Sequence, residues 1–131
     1  MLARPGNEVG AELIEDLWKS GFDYVELSLA HIAALAEDDY RKLRQRLKQS
    51  GINSEACNNF FPSSIKLTGP EFDMSKIMVY VNLAMERAAL LDVKIIVFGS
   101  GPAKMVPVGF SRASAQQQLV ELLTRISVPA K

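Results

Sequence analysis

Lys94-Ile95-Ile96-Val97-Phe98-Gly99-Ser100-Gly101-Pro102 decides the fold. Four consecutive apolar residues, three of them β-branched, read as a strand, and Gly99 to Pro102 break it. An uninterrupted apolar run suits a strand covered on both faces, as in a parallel sheet. Upstream, Ile77, Val81, Ala84, Ala88 and Leu91 recur at helical spacing. Their helix is expected to begin at Ser75 as N-cap. Downstream, Ala115, Leu119, Leu122, Leu123 and Ile126 form a second stripe, with Ser111 or Ser114 as its cap and Pro129 ending it.

The same alternation extends toward the N-terminus. Leu13, Ile14, Leu17 and Trp18 form one helical stripe, and Gly21 stands where a C-terminal cap glycine is expected. Phe22-Asp23-Tyr24-Val25-Glu26-Leu27 reads as a strand. A helix over residues 38–49 turns Tyr40, Leu43 and Leu47 inward and ends at Gly51. Residues 52–57 read as a weak strand, interrupted by Asn53 and Glu55. Residues 58–70 form a loop whose glycine and prolines exclude regular structure. Met1 to Ala3 are a candidate remnant of an earlier strand. Helices alternating with buried strands imply right-handed βαβ units. Two architectures satisfy this: an open doubly wound sheet, or a segment of a closed barrel.

Bulk properties narrow the function classes. The 131 residues suffice for one compact domain, and 48% are hydrophobic. Fifteen basic residues balance fifteen acidic ones, so no electrostatic case exists for nucleic acid or an anionic membrane as partner. The single cysteine, Cys57, cannot pair internally, which fits a reducing cytoplasm. The N-terminal residues lack the apolar run of a signal peptide, and no stretch approaches the ~20 apolar residues of a membrane span.

An ordered set of segments resembles the xylose isomerase-like superfamily of sugar phosphate isomerases and epimerases, similar to D-tagatose 3-epimerase-type proteins. Gly21-Phe22-Asp23-Tyr24-Val25-Glu26-Leu27, with Ser28-Leu29 and a short helical turn through Ile32-Ala33-Ala34-Leu35, resembles the family's second strand. Gly51-Ile52 resembles the opening of the third strand. Asn59-Phe60-Phe61-Pro62 and Ile65-Lys66-Leu67-Thr68-Gly69-Pro70 resemble the family's loop after the third strand. Glu86-Arg87-Ala88 sits late in a helix, as in the family, and Phe98-Gly99-Ser100-Gly101 with Val106-Pro107 resembles the end of the fourth strand. Asp92 departs from the pattern, standing where a helix-ending glycine is usual.

The resemblance implies an α/β fold: a partial (β/α)8 TIM barrel of about three to four parallel strands alternating with helices. Residues 1–131 would be a single half-barrel domain. A complete barrel has eight strands and about 250 residues. The family's chemistry is metal-assisted proton transfer on a ketose or aldose, with manganese, magnesium, cobalt or zinc as the divalent ion. Its ligands lie on second-half strands, so no metal or catalytic position is carried over to this chain. It is expected to hold the substrate wall, to bind a sugar or sugar phosphate, and to be weak or inactive alone. A homodimer completing the barrel is one expectation; a non-catalytic half-barrel or a small phosphate-binding α/β domain is another.

Barrel substrates sit at the C-terminal strand ends. That selects Glu26, Cys57, Asn58, Asn59, Phe60, Phe98, Gly99, Ser100 and Gly101 as substrate-binding candidates. Glu26 reads as a pocket-wall carboxylate, or as a residue paired with a cation such as Arg4. Cys57 reads as a wall contact or a buried filler. Asn58 and Asn59 suit sugar hydroxyls or a turn. Phe60 and Phe61 suit a sugar face or closure of the barrel mouth. Gly99-Ser100-Gly101 suits a phosphate cradle or a tight turn. His31, the only histidine, is expected in an exposed loop.

Overall fold

The computed structural model of the chain describes residues 13–129. Met1 to Ala3, Arg4 and the suggested first strand lie outside them. In order, the elements are α1 (Ile14–Lys19), β1 (Leu27–Ser28), α2 (Leu29–Ala34), α3 (Glu37–Ser50), β2 (Ala56–Asn58), α4 (Met74–Leu90), β3 (Ile95–Ile96), a 3-10 turn (Gly101–Lys104) and α5 (Arg112–Ile126). The fold is α/β with three parallel strands in the order β1-β2-β3.

Local chemistry sets the boundaries. Glu37, Asp38 and Asp39 occupy the first turn of α3, where carboxylates complement the helix dipole. Gly51 closes α3 in the left-handed conformation, at φ +75°. Helix α4 is capped two positions earlier than expected: Asp73, not Ser75, accepts the Lys76 N–H. Ser111 caps α5 by accepting from Ser114 N–H. Asp92 adopts φ +60°, so the site of the missing glycine keeps the left-handed backbone a glycine would favour.

The strands are shorter than the sequence suggests, for a physical reason. Leu27 pairs with Cys57 and Ser28 with Asn58, while Tyr24 bridges Asn53. Three steps along one strand thus match four along the other. The second strand carries one extra residue around Ser54 and Glu55, a bulge. The Glu55 carbonyl accepts from both Lys94 and Ile95 N–H there, at 2.8 and 3.1 Å.

Residues paired in a parallel sheet share a face. Val25, Leu27 and Cys57 are buried, and Ile96 packs against the same core as Leu43, Val81 and Ala84. The opposite face carries Tyr24, Ile95 and Val97, which are 57%, 61% and 45% exposed. This corrects the expectation of a β3 covered on both faces: among the described residues, helices cover one face only. Continuous hydrophobicity could not separate these cases, because every β3 residue is apolar whichever way it points. Leu123, expected on the inner face of α5, is 46% exposed, whereas Leu122 and Ile126 are buried.

Arg87 locks the helical layer. It is 7% exposed within the apolar stripe of α4. Its Nη1 donates to Ile32 O and Leu35 O, both at 2.7 Å, and to Ala33 O at 3.3 Å. These are carbonyls at the C-terminal end of α2, where the local backbone supplies only a long bond from Leu35 N–H to Ile32 O, at 3.3 Å. Tyr40 stacks on the guanidinium at 4.7 Å, and its hydroxyl donates back to Arg87 O at 2.8 Å. Glu86-Arg87-Ala88 thereby acquires a structural role: it ties α2, α3 and α4 together.

Candidate functional site

The C-terminal strand ends form one rim. Glu26 is half-buried on the open side of β1, two residues before Ser28. Asn58 is half-buried at the end of β2 and pairs in register with Ser28, so these two stand side by side. Asn59, exposed at φ +52°, turns the chain, and its carbonyl accepts from Ala30 N–H at 3.1 Å. That bond joins the entry of α2 to the end of β2. The strand order puts Glu26 on one flank of Asn58 and residues 99–101 on the other.

The remaining candidates divide by burial. Cys57 is fully buried on the helix-covered side, and burial pushes its thiol up to about 11, with the Ser54 hydroxyl opposing weakly. Such a thiol is protonated at neutral pH and is no nucleophile. Phe60 is buried with Phe61, Tyr80 and Phe98 in an aromatic cluster. Phe60 and Phe61 centroids lie 4.3 Å apart, and Phe98 meets Phe61 edge-on at 5.6 Å. The Tyr80 hydroxyl donates to Phe60 O, pinning the loop, and burial raises its pKa. Phe98 is half-buried, with Lys104 Nζ over its ring at 4.7 Å and bonded to its carbonyl at 3.0 Å.

Gly99 and Gly101 are exposed, and a Cβ at either would meet nothing within 4 Å. They keep open space beside the rim. Ser100 between them is buried at φ +29°, and its hydroxyl accepts from Phe61 N–H at 2.7 Å. Its oxygen thus clips the loop after β2 to the loop after β3.

Four further links complete that clip, none anticipated from the sequence. Leu67 N–H donates to Ala103 O at 2.9 Å, and Thr68 Oγ1 donates to Met105 O at 2.9 Å. Gln118 on α5 accepts from Gly69 N–H at 2.8 Å and donates to Gly69 O at 3.0 Å. Gly69 lies so close to Pro107 that a Cβ there would sit 2.7 Å from Pro107 Cγ. A signal was present for Arg87 and Gln118. Both are polar residues three positions after an alanine on an otherwise apolar helical stripe, Ala84 and Ala115 respectively.

His31 lies within α2 rather than in a loop, and its buried Nδ1 has no hydrogen-bond partner among the described residues. Ser28 Oγ, three residues earlier, is likewise buried, with no partner among the described residues. No three His, Cys, Asp or Glu side chains converge among the described residues. The divalent ion implied by the family resemblance finds no ligand set among them. No described helix is long and apolar enough to cross a membrane. Neither a family model nor a curated protein nor a solved structure matches the chain.

Proposed function

We propose that the chain is half of a (β/α) barrel of the xylose isomerase-like kind and forms the substrate-wall half of a sugar or sugar-phosphate pocket. The observation carrying this reading is the winding. Right-handed crossovers between strands ordered β1-β2-β3 must place every connecting helix on one face. A doubly wound sheet reverses its strand order and covers both faces. The one-sided layering here supports a barrel segment, whose open face is the barrel interior. At the C-terminal end of that face stand Glu26 and Asn58, with Asn59 and the 99–101 turn at the rim. A carboxylate and two amides suit the hydroxyls of a ketose or aldose.

Chemistry in the parent family is isomerisation or epimerisation by proton transfer. This chain alone is weak or inactive, because its rim offers one carboxylate where such transfer uses two. The open sheet face favours a second reading: a homodimer that completes the barrel, or persists as a non-catalytic half-barrel. A free-standing phosphate-binding domain has less support, since the Ser100 hydroxyl already serves the Phe61 N–H.

The test is amide NMR of the chain titrated with neutral ketoses, ketose phosphates and inorganic phosphate, with and without Mn2+. Sugar-dependent shifts at Glu26, Asn58, Asn59 and residues 99–101, lost in Asn58→Ala, are the expected result. Absence of any sugar response refutes the reading. A phosphate response confined to residues 99–101 favours the phosphate domain instead.

A further inference from the structure

The β3 side of the molecule gathers three features, which share Phe60 and Phe98 with the strand-end candidates. The first is an unpaired N–H and C=O on the outer edge of β3. Ile95 N–H and Val97 N–H donate to Glu55 O and Cys57 O on β2. In a parallel ladder the residue between them points its N–H and C=O the other way. Ile96 therefore presents both groups outward, and among the described residues no strand pairs with them. The second is apolar exposure beside that edge, at Ile95 and Val97 on the open sheet face. The third is a cleft of about 650 Å³ on the helix-covered face, between β3, α4 and α5. Met85, Ala88, Ile96, Phe98, Leu123 and Ile126 line it.

We infer that this side is a self-association surface, where a second copy of the chain adds its β3 antiparallel to this one and extends the sheet to six strands. The occupant follows from the hydrogen-bond pattern. A twofold axis through Ile96 makes it exchange both bonds with its own counterpart, as one hydrogen-bonded pair of an antiparallel ladder does. The same register sets Ile95 opposite the second copy's Val97, covering two exposed apolar side chains at once. Lys94 falls opposite the second copy's Phe98, on which that copy's Lys104 sits, and the Asp92 carboxylate paired with Lys94 offsets the approach of the two ammonium groups. Both covered faces stay on the same side, so α5 of each copy closes over the paired clefts and Leu123 is covered. The zero net charge of the chain adds no long-range repulsion. Strand pairing alone is small, and the clefts supply apolar area toward the ~1,200–2,000 Å² of a stable interface.

This goes beyond the half-barrel reading and excludes a barrel-closing dimer, which needs the same edge. Barrel closure would pair the β3 edge with the opposite edge of the other copy, whereas the present pairing is β3 with β3. Light scattering on a sizing column is expected to give twice the 14.4 kDa chain mass. Ile95→Lys, which charges the edge on its exposed face, is expected to weaken association about tenfold or more while leaving the far-UV spectrum unchanged. Ile96→Cys is expected to give a covalent dimer on mild oxidation, because paired Cα atoms about 5.5 Å apart lie within disulfide reach. Cys57 is fully buried and does not interfere. In a barrel-closing dimer the two Ile96 positions stand apart and no cross-link forms. Should Ile95→Lys fail to fold, the Ile96→Cys cross-link decides alone. A monomer at every concentration, or a dimer that survives Ile95→Lys and yields no cross-link, overturns the inference.

Discussion

Replacing Arg87 by methionine removes a charge from the core without removing much volume. The aliphatic stem of arginine already packs among apolar groups, and methionine preserves that part. What disappears is the guanidinium. Ile32 O and Leu35 O each lose a charge-assisted bond of 2.7 Å, and Ala33 O loses a longer one. A buried acceptor stranded in this way costs about 1–3 kcal/mol. No unpaired charge stays behind and Ile32 O keeps its longer bond from Leu35 N–H at 3.3 Å, so the stranded Leu35 O sets the scale at about 1–3 kcal/mol. The Glu37 contact adds little, since at 3.4 Å that carboxylate is mostly exposed. Domains of this size have only about 5–15 kcal/mol to lose. Urea unfolding followed by far-UV circular dichroism should therefore show Arg87→Met with a sharply lowered midpoint and an unchanged slope. Arg87→Lys keeps the charge but not the planar fork, and should fall between the two. Tyr40→Phe should cost about 1 kcal/mol through its lost bond to Arg87 O. A loss below about 1 kcal/mol in Arg87→Met would refute the assignment of Arg87 as the link between α2 and α4.

Asp92→Gly should stabilise the fold by about 0.5–1 kcal/mol, because Asp92 holds φ +60° and its ion pair with Lys94 is exposed and weak; an unchanged urea midpoint counts against backbone strain there. Gly69→Ala should destabilise by about 2 kcal/mol or more and loosen the paired loops, since the new Cβ meets Pro107 at a φ of +96°. Faster amide exchange at Thr68 and Met105 would report the loosening, and native exchange rates would contradict it. Cys57 is raised in the folded state, so the native protein holds its proton longer than the unfolded chain. Stability is full below the unfolded thiol value of about 8.5 and falls as pH rises toward about 11, by up to about 1.4 kcal/mol per pH unit. Tyr40 and Tyr80, also raised by burial, add the same sign at higher pH. Cys57→Ala should flatten the profile between those two values, and an unaltered profile would remove Cys57 as its source.

Helix positions were legible because their stripes repeat at 3.6 residues and their ends carry recognisable chemistry. Tyr40, Leu43 and Leu47 face inward as their spacing requires, and Gly51 takes the left-handed conformation that its place after α3 demands. The strands were legible as segments but not in length. A bulge at Ser54 and Glu55 depends on register with a neighbouring strand, and register is a property of two segments that neither contains alone. Cys57 lies near the end of β2, and its two readings, wall contact or buried filler, left its direction open; the structure buries it. The extra residue upstream reverses the face that simple alternation from Asn53 assigns.

The rim candidates divide along the same line. Asn58 and Glu26 reach the open side because they alternate with Cys57 and Leu27, which the core claims first. Their placement is a by-product of burying their neighbours, so a sequence that fixes the core also fixes where these polar groups point. The clip made by Ser100, Thr68 and Gln118 has no such local determinant. Each of its bonds spans more than thirty residues, from Thr68 to Met105 at 37 to Gly69 and Gln118 at 49. Its one local trace is a polar residue on an apolar helical stripe, and a buried polar group must find a partner. Arg87 and Gln118 obey that rule in the same way, each reaching across to backbone that would otherwise be stranded. The rim is therefore held from behind by side chains on α4 and α5, and changes to either helix should reach it without touching it.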